Sequence, residues 1–302
     1  MPTISAPQVR ASDRIDLHTH STRSDGRGTP EQVMREAAAA GLNIVALTDH
    51  DTTAGWTEAT EVCAELGLGF VPGIELTSRA TETDPETGRV HRFGVHLLAY
   101  LPDPNNPELQ AAMAGTLESR ISRLQAITER LAEDFDLAWE HVEDIISDGR
   151  SAGRPAIADA MIVRGLIGKR DEFFDLVYPG SKYYQPYSGV PDTIDAIKII
   201  RGAGGVPVLA HPMARGKAPE PGQRMPREHF LNLIEAGLAG FEVAHRDVPP
   251  HAREWLIGLA QEFNLIVTGS SDYHGTGKDN LLGENLTAPV MLERILAQGF
   301  TG

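Results

Sequence analysis

Short apolar runs recur along the chain and read as strands: Arg14–Leu17, Asn43–Thr48, Leu68–Pro72, Gly94–Tyr100, Val206–Ala210, Gly240–Val243 and Leu265–Gly269. Between several of them the apolar period lengthens to that of a helix. Thr29-Pro30-Glu31 supplies an N-cap, a first-turn proline and an acid, and the helix runs through "QVMREAAAAG" to stop near Gly41. "ATEVCAELG", "DAIKIIRGAGG" and "HAREWLIGLAQEFN" are further helices, the second leading into "VPVLA" and the third into "LIVTG". Strand and helix in alternation predict an α/β fold with a mostly parallel sheet, and seven strands favour a barrel over an open sheet.

One stretch breaks this rhythm. From about Pro102 to Pro191 no buried strand is legible. "ELQAAMAGTLESRISRLQAITERLAED" has helical periodicity with apolar positions at Leu117, Ile121, Leu124, Ile127 and Leu131, and "LAWEHVEDIISDG" and "AIADAMIVRGLIGKRDEFFDLV" are also helical. The predicted organisation is a discontinuous barrel of residues 1–101 and 192–302, interrupted by a helical domain at 102–191 that caps the substrate. The polar segment "RATETDPETGRVHR" reads as a surface loop or hairpin tip.

The residues that follow the strands share one chemistry. His18, His20 and Asp25 come after "RIDL", His50 after "IVALT", and Glu75 after "GFVPGI". His96 lies in "GVHLLAY", His211 follows "VPVLA", and Asp272 and His274 follow "LIVTGSS". In a parallel α/β barrel the C-terminal strand ends meet at one mouth, where catalytic groups sit. A single histidine at such a place is more often an ordinary core or surface residue. Six of the eleven histidines, with three acids, are hard to explain structurally, because burying them without a cation is costly. One tetrahedral ion would leave most of these donors unused, so they suit roughly two or three divalent ions. Imidazole and carboxylate without thiolate favour Mn, Fe or Zn, with Mn preferred. Neighbouring cations of this kind clamp a phosphoryl group and generate hydroxide near neutral pH.

Composition narrows the partners. The 302 residues carry a formal charge of −15, which argues against a broad nucleic-acid surface but allows a small phosphorylated substrate or a strand end. One cysteine, Cys63, excludes an intramolecular disulfide and a thiolate zinc site. With no signal-peptide core and no apolar run near the ~18 residues of a membrane span, the expected location is the cytoplasm, without membrane contact.

The motifs "DLHTHSTRSDG", "ALTDHDT", "GIELT", "VHLLAY", "VLAHP" and "GSSDYHG", in this order across roughly residues 14–276, resemble those of the PHP (polymerase and histidinol phosphatase) family. The resemblance implies a distorted (β/α)7 barrel with a trinuclear metal site. Its implied ligands are His18, His20, Asp25, His50, Glu75, His96, His211, Asp272 and His274, with Glu75 as the bridge. His211, Asp272 and His274 are the implied catalytic group, His274 or His211 protonating the leaving alkoxide. "AGRPAIADAMI" resembles the helix start of a branch that includes phosphatases of 3',5'-nucleoside bisphosphates, which also trim short single-stranded RNA from the 5' end. The branch histidine after Gly-Arg-Pro is Ala156 here, and "SKYYQPY" resembles a later loop that closes toward the site. Arg154, Arg215 and Lys182 then become candidates for substrate phosphate, with Lys278 a weaker one.

Competing readings remain at this stage. His91 rivals His96, which is preferred because it lies in the apolar strand. His141, His229 and His251 read as solvated helix residues, and His245, which follows a strand, as surface in preference to a residue that reaches substrate. Asp16, Asp49 and Asp51 read as partners that orient imidazoles. Against a nucleotide phosphoesterase stand a histidinol phosphatase using the same site, a metal-dependent amide hydrolase, and a non-catalytic scaffold.

Overall fold

A computed structural model describes residues 6–83, 88, 90–147, 152–186, 188–214 and 226–299. The chain divides into two compact units, Met1–Ala112 with Pro191–Gly302, and Met113–Val190.

In the first unit the described strands are β1 (Ile15–Asp16), β2 (Ile44–Leu47), β3 (Gly69–Thr83), β4 (Val90–Tyr100), β5 (Val206–Leu209), β6 (Gly240–Ala244) and β7 (Ile266–Gly269). They form one sheet in sequence order. Its two edges meet where Thr19 bridges Tyr273 and Thr287 N–H donates to the Ile15 carbonyl at 2.9 Å, so the barrel is nearly closed. Helices α1 (Pro30–Ala39), α2 (Trp56–Leu66), α7 (Thr193–Gly202), α8 (Arg227–Glu235), α9 (Pro250–Glu262) and α10 (Pro289–Leu296) belong to this unit. The start of α1 is a capping box: Thr29 Oγ1 accepts Gln32 N–H at 3.1 Å, and Gln32 Oε1 accepts Thr29 N–H at 2.8 Å.

The sheet departs from the expected parallel pattern at one strand. β1–β2–β3 and β5–β6–β7 are parallel, but β4 runs antiparallel to both neighbours. The cause is connection length, since a parallel partner needs a crossover of about a dozen residues and only six residues separate Thr83 of β3 from Val90 of β4. The polar stretch read as a surface loop or hairpin tip is the end of this hairpin, with Arg79–Thr83 paired to Val90–Gly94. The barrel interior is packed by Ile15, Leu17, Ile44, Val71, Leu98, Tyr100, Val206, Val208 and Ile266, joined by Leu292 and Ile295 of α10.

The second unit is helical: most of α3 (Pro107–Leu131), then α4 (Trp139–Ser147), α5 (Arg154–Val163) and α6 (Arg170–Leu176). Leu124, Ile127 and Leu131 of α3 pack with Val142, Ile157, Met161, Phe173 and Val177. Leu117, expected on that apolar stripe, is 51% exposed instead, because the stripe is covered only in the later turns of α3. Arg123 and Arg130 of α3 hold the segment around Gln185, Arg123 Nε donating to its carbonyl at 2.6 Å and Arg130 Nη2 to its Oε1 at 2.7 Å.

Candidate metal centre

β1 ends at Asp16, whose buried carboxylate accepts N–H groups from Ser271 (3.0 Å), Gly283 (2.9 Å) and His18 (3.4 Å). These bonds staple the end of β1 to the segments beyond β7. The extended backbone then alternates. His18 and His20 turn to one side and are fully buried, while Thr19 between them donates to the Ala46 carbonyl at 2.7 Å. Asp49 holds the next loop by accepting Ser21 N–H (2.8 Å), Ser21 Oγ–H (2.7 Å) and Ser24 Oγ–H (2.6 Å), which sets Asp25 in place. Asp51 accepts both N–H and Oγ1–H of Thr77 at 2.7 Å and fixes the turn after His50. Asp51, His211 and Asp272 all have positive φ (53°, 29° and 55°). Such backbone costs a non-glycine residue on the order of 1–3 kcal/mol, and here the strain lies where strand ends turn their side chains inward.

Glu75 occupies the centre. Its Oε2 lies 3.1 Å from His18 Nε2, 3.0 Å from His20 Nε2 and 3.4 Å from His50 Nδ1. Its Oε1 lies 2.8 Å from His96 Nδ1 and 3.0 Å from His211 Nε2. Asp272 Oδ1 approaches His18 Nε2 (3.5 Å) and His20 Nε2 (3.4 Å). Asp25 Oδ1 lies 3.1 Å from His274 Nε2, and its Oδ2 3.7 Å from His50 Nε2. Three overlapping sets have donor atoms within 4.8 Å of one another: His20–Asp25–His50–His274, His18–His20–Glu75–Asp272, and His50–Glu75–His96.

These residues fit divalent metal. His18 Nε2 and His20 Nε2 face each other at 3.0 Å, and His50 Nδ1 and His274 Nε2 are buried without a hydrogen-bond partner. Orphaned buried nitrogens are expensive, and cations held by these overlapping sets would satisfy them together with the carboxylates. The charges agree. Burial pushes the Glu75 carboxyl up, but His50, His18 and His96 outweigh it and hold it well below the usual carboxylate range. Burial likewise opposes ionisation of Asp272 and Asp25, and the surrounding imidazoles hold both well below that range. His50 is pushed well down by burial. His20 is pushed down by burial too, but its bonds to Asp272 and Glu75 raise it to about 9. In the metal-free protein a proton therefore occupies part of the place a cation would take.

A pH effect follows. Because His20 is raised from 6.5 to about 9, its protonation stabilises the metal-free fold fully below pH 6.5, and that stabilisation is lost as pH rises through about 9. Thermal melts with chelator should show a falling melting temperature across this window, whereas metal-loaded protein should not show the fall. A flat or rising metal-free curve would contradict the assignment.

The nine residues expected as ligands all lie in this cluster, and β4 explains how His96 reaches it. Since that strand is reversed, His96 arrives from the middle of the strand, in register with Thr77 and beside Glu75, rather than from a C-terminal strand end. Of His91 the structure describes only backbone, paired with Glu82. Two residues of β6 and its end were not expected here. Glu242, fully buried, accepts His18 Nδ1–H at 2.8 Å and His211 N–H at 2.8 Å, bonds Ser270 Oγ, and is lowered to about 2 because His18 outweighs burial. It fixes the His18 tautomer that leaves Nε2 free for the cluster. A lone carboxylate inside the apolar run "GFEVA" was its only signal in the sequence. His245, read as surface, is 1% exposed, with Nε2 3.5 Å from Asp272 Oδ2.

Other expectations need correction. Asp16, Asp49 and Asp51, read as partners of imidazoles, accept backbone N–H groups, and Asp49 and Asp51 accept hydroxyls as well. His229 is half-buried, tilted against Phe93 and edge-on to Phe230, rather than solvated. Lys278 donates to Asp272 Oδ2 at 2.7 Å. In the helical unit, Arg154 opens α5, lies over the Phe174 ring at 5.3 Å and donates to the Val177 carbonyl at 3.4 Å, while Lys182 pairs with Asp134. Arg215 lies outside the described residues. Among the described residues no helix is long and apolar enough to cross a membrane.

Comparison with known proteins points the same way. A PHP domain model matches residues 16–150. The chain is 34% identical over 278 residues to the phosphoribosyl 1,2-cyclic phosphate 1,2-diphosphodiesterase of Eggerthella lenta, covering 86% of this chain and 94% of that one. It is 30% identical over 269 residues to the 3',5'-nucleoside bisphosphate phosphatase of Chromobacterium violaceum, covering 87% and 88%. A crystal structure from Bifidobacterium adolescentis, described as a metal-dependent phosphoesterase, is similar with a TM-score of 0.80 at 38% identity, covering 97% of this chain and 98% of that one.

Proposed function

The chain belongs to the PHP domain family and is a metal-dependent phosphoesterase, and we propose that it acts in the cytoplasm on phosphate esters carried by the ribose of small nucleotides. The preferred substrate class is the 3',5'-nucleoside bisphosphate, cleaved to nucleoside 5'-monophosphate and phosphate. The observation that carries the reaction class is a single buried carboxylate, Glu75, facing five imidazoles, with Asp25 and Asp272 on the flanks.

His18, His20, Asp25, His50, Glu75, His96, His211, Asp272 and His274 would hold two or three divalent ions, with manganese preferred for an all-nitrogen-and-oxygen donor set. Such ions, when bound, supply Lewis acidity toward phosphoryl oxygens and a hydrolytic nucleophile at neutral pH. The protein's own part is orientation and proton handling. Glu75 places its two oxygens toward different imidazoles, which suits a bridge. Glu242 holds His18, and the Asp272 carbonyl accepts His274 Nδ1–H at 2.8 Å, so both rings present Nε2 inward. His211, 26% exposed at its side chain against 4% for His274, is the better placed of the two to protonate the leaving alkoxide when its Nε2 does not hold an ion.

The similarity to the Eggerthella lenta diphosphodiesterase supports a second reading, opening of a ribose cyclic phosphate. Both reactions break a P–O ester bond on ribose and differ in whether that bond closes a ring.

Product analysis by the manganese-loaded protein separates them. The panel holds adenosine 3',5'-bisphosphate, phosphoribosyl 1,2-cyclic phosphate, AMP, histidinol phosphate and a 5'-phosphorylated RNA oligomer. Highest kcat/KM on the bisphosphate, with slower trimming of the RNA, is the expected result. Preference for the cyclic phosphate would select the second reading, and preference for histidinol phosphate would overturn both.

A further inference from the structure

Asp272 divides its two oxygens between two environments. Oδ1 faces the Nε2 atoms of His18 and His20 at 3.5 and 3.4 Å. Oδ2 accepts Lys278 Nζ–H at 2.7 Å and lies 3.5 Å from His245 Nε2.

The tautomer of His245 follows from its other nitrogen. His245 Nδ1 accepts the Asp247 N–H at 3.1 Å, so in the neutral ring the hydrogen sits on Nε2. This is the reverse of His18 and His274, whose Nδ1–H groups donate to Glu242 and to the Asp272 carbonyl, both at 2.8 Å. Those two rings have an inward lone pair to give a cation. His245 Nε2 is instead buried without a hydrogen-bond partner, and the Asp272 Oδ2 carboxylate oxygen at 3.5 Å lies within reach of its hydrogen. Its ring lies 5.3 Å from that of His211, and its carbonyl is held by Arg253 Nη2 at 2.5 Å, so the donor is fixed in place.

We propose that His245 and Lys278 are positioning residues for Asp272. Together they hold Oδ2, so that Asp272 offers Oδ1 alone to the metal centre. Glu75 has no such arrangement, since both its oxygens face imidazoles. The inference rests on the reading of the cluster as a metal centre.

The test is titration of the metal-free full-length protein with Mn(II) and Co(II), for wild type, His245→Leu, His245→Gln and Lys278→Met. His245→Leu and Lys278→Met should each weaken the Asp272-dependent ion by about 10–100-fold. His245→Gln keeps an N–H donor and should recover most of that loss. In the Leu and Met variants the visible band of the bound Co(II) should lose intensity, because a freed Oδ2 adds a second oxygen to the coordination sphere. A merely structural role would lower the melting temperature and leave this band unchanged. Lys278 is only half-buried, so Lys278→Met decides the matter even where His245→Leu folds poorly. Affinities within twofold of wild type and unchanged spectra would overturn the inference while leaving the metal centre standing. Wild-type protein that binds no metal would overturn both.

Discussion

Glu75→Gln should lower phosphate release by on the order of 10³-fold or more and strip the barrel of bound metal. The substitution keeps volume and removes one charge. Five imidazole nitrogens lie 2.8–3.4 Å from the two Glu75 oxygens, so this carboxylate is the shared member of the cluster. A carboxamide presents only one good acceptor oxygen, and its NH2 would oppose whatever lies on the other side. Glu75 also carries the β2–β3 contact, its N–H donating to the Thr48 carbonyl at 3.0 Å, and Gln preserves that bond. Circular dichroism should therefore remain that of the folded barrel while metal content by mass spectrometry falls. A variant that keeps wild-type turnover and metal content would show that Glu75 is not the bridge.

Chelation should lower the melting temperature by roughly 10 °C and abolish activity, with both restored by Mn(II). An ion at a thousandfold excess over its Kd stabilises the native state by about 4 kcal/mol, and a domain of this size shifts by about 2–4 °C per kcal/mol. Removal also leaves His50 Nδ1 and His274 Nε2 buried without hydrogen-bond partners. Differential scanning calorimetry with and without chelator checks this. An unchanged melting temperature would mean that the cluster satisfies itself through protons alone.

The site was far more legible in the sequence than its supports. Its nine residues stand at or near the ends of apolar runs, so a strand pattern and a barrel geometry are enough to bring them to one place. Glu242 escaped because its role depends on His18, 224 positions away, and a single acid in a buried strand carries no spacing signal. His245 escaped for the same reason, since only the fold shows that the end of β6 lies beside Asp272. The reversal of β4 was hidden in a polar stretch that is short of apolar residues yet pairs as a hairpin. Asp16, Asp49 and Asp51 were recognised as neighbours of the site, but a carboxylate beside a histidine in sequence need not face its ring. Each instead accepts N–H groups that hold the strand-end turns, so their contribution to the metal centre runs through the backbone. The helix α10 went unread because "PVMLERIL" is short and offers too few turns for a periodicity to stand out.

The most direct test of the metal centre is anomalous diffraction at the manganese edge from crystals grown with Mn(II). Two or three peaks in the barrel mouth, at least one of them about 2.0–2.2 Å from a Glu75 oxygen and one beside Asp272 Oδ1, are predicted. Manganese bound only elsewhere on the chain, or a mouth that stays free of anomalous signal at saturating Mn(II), would contradict the account.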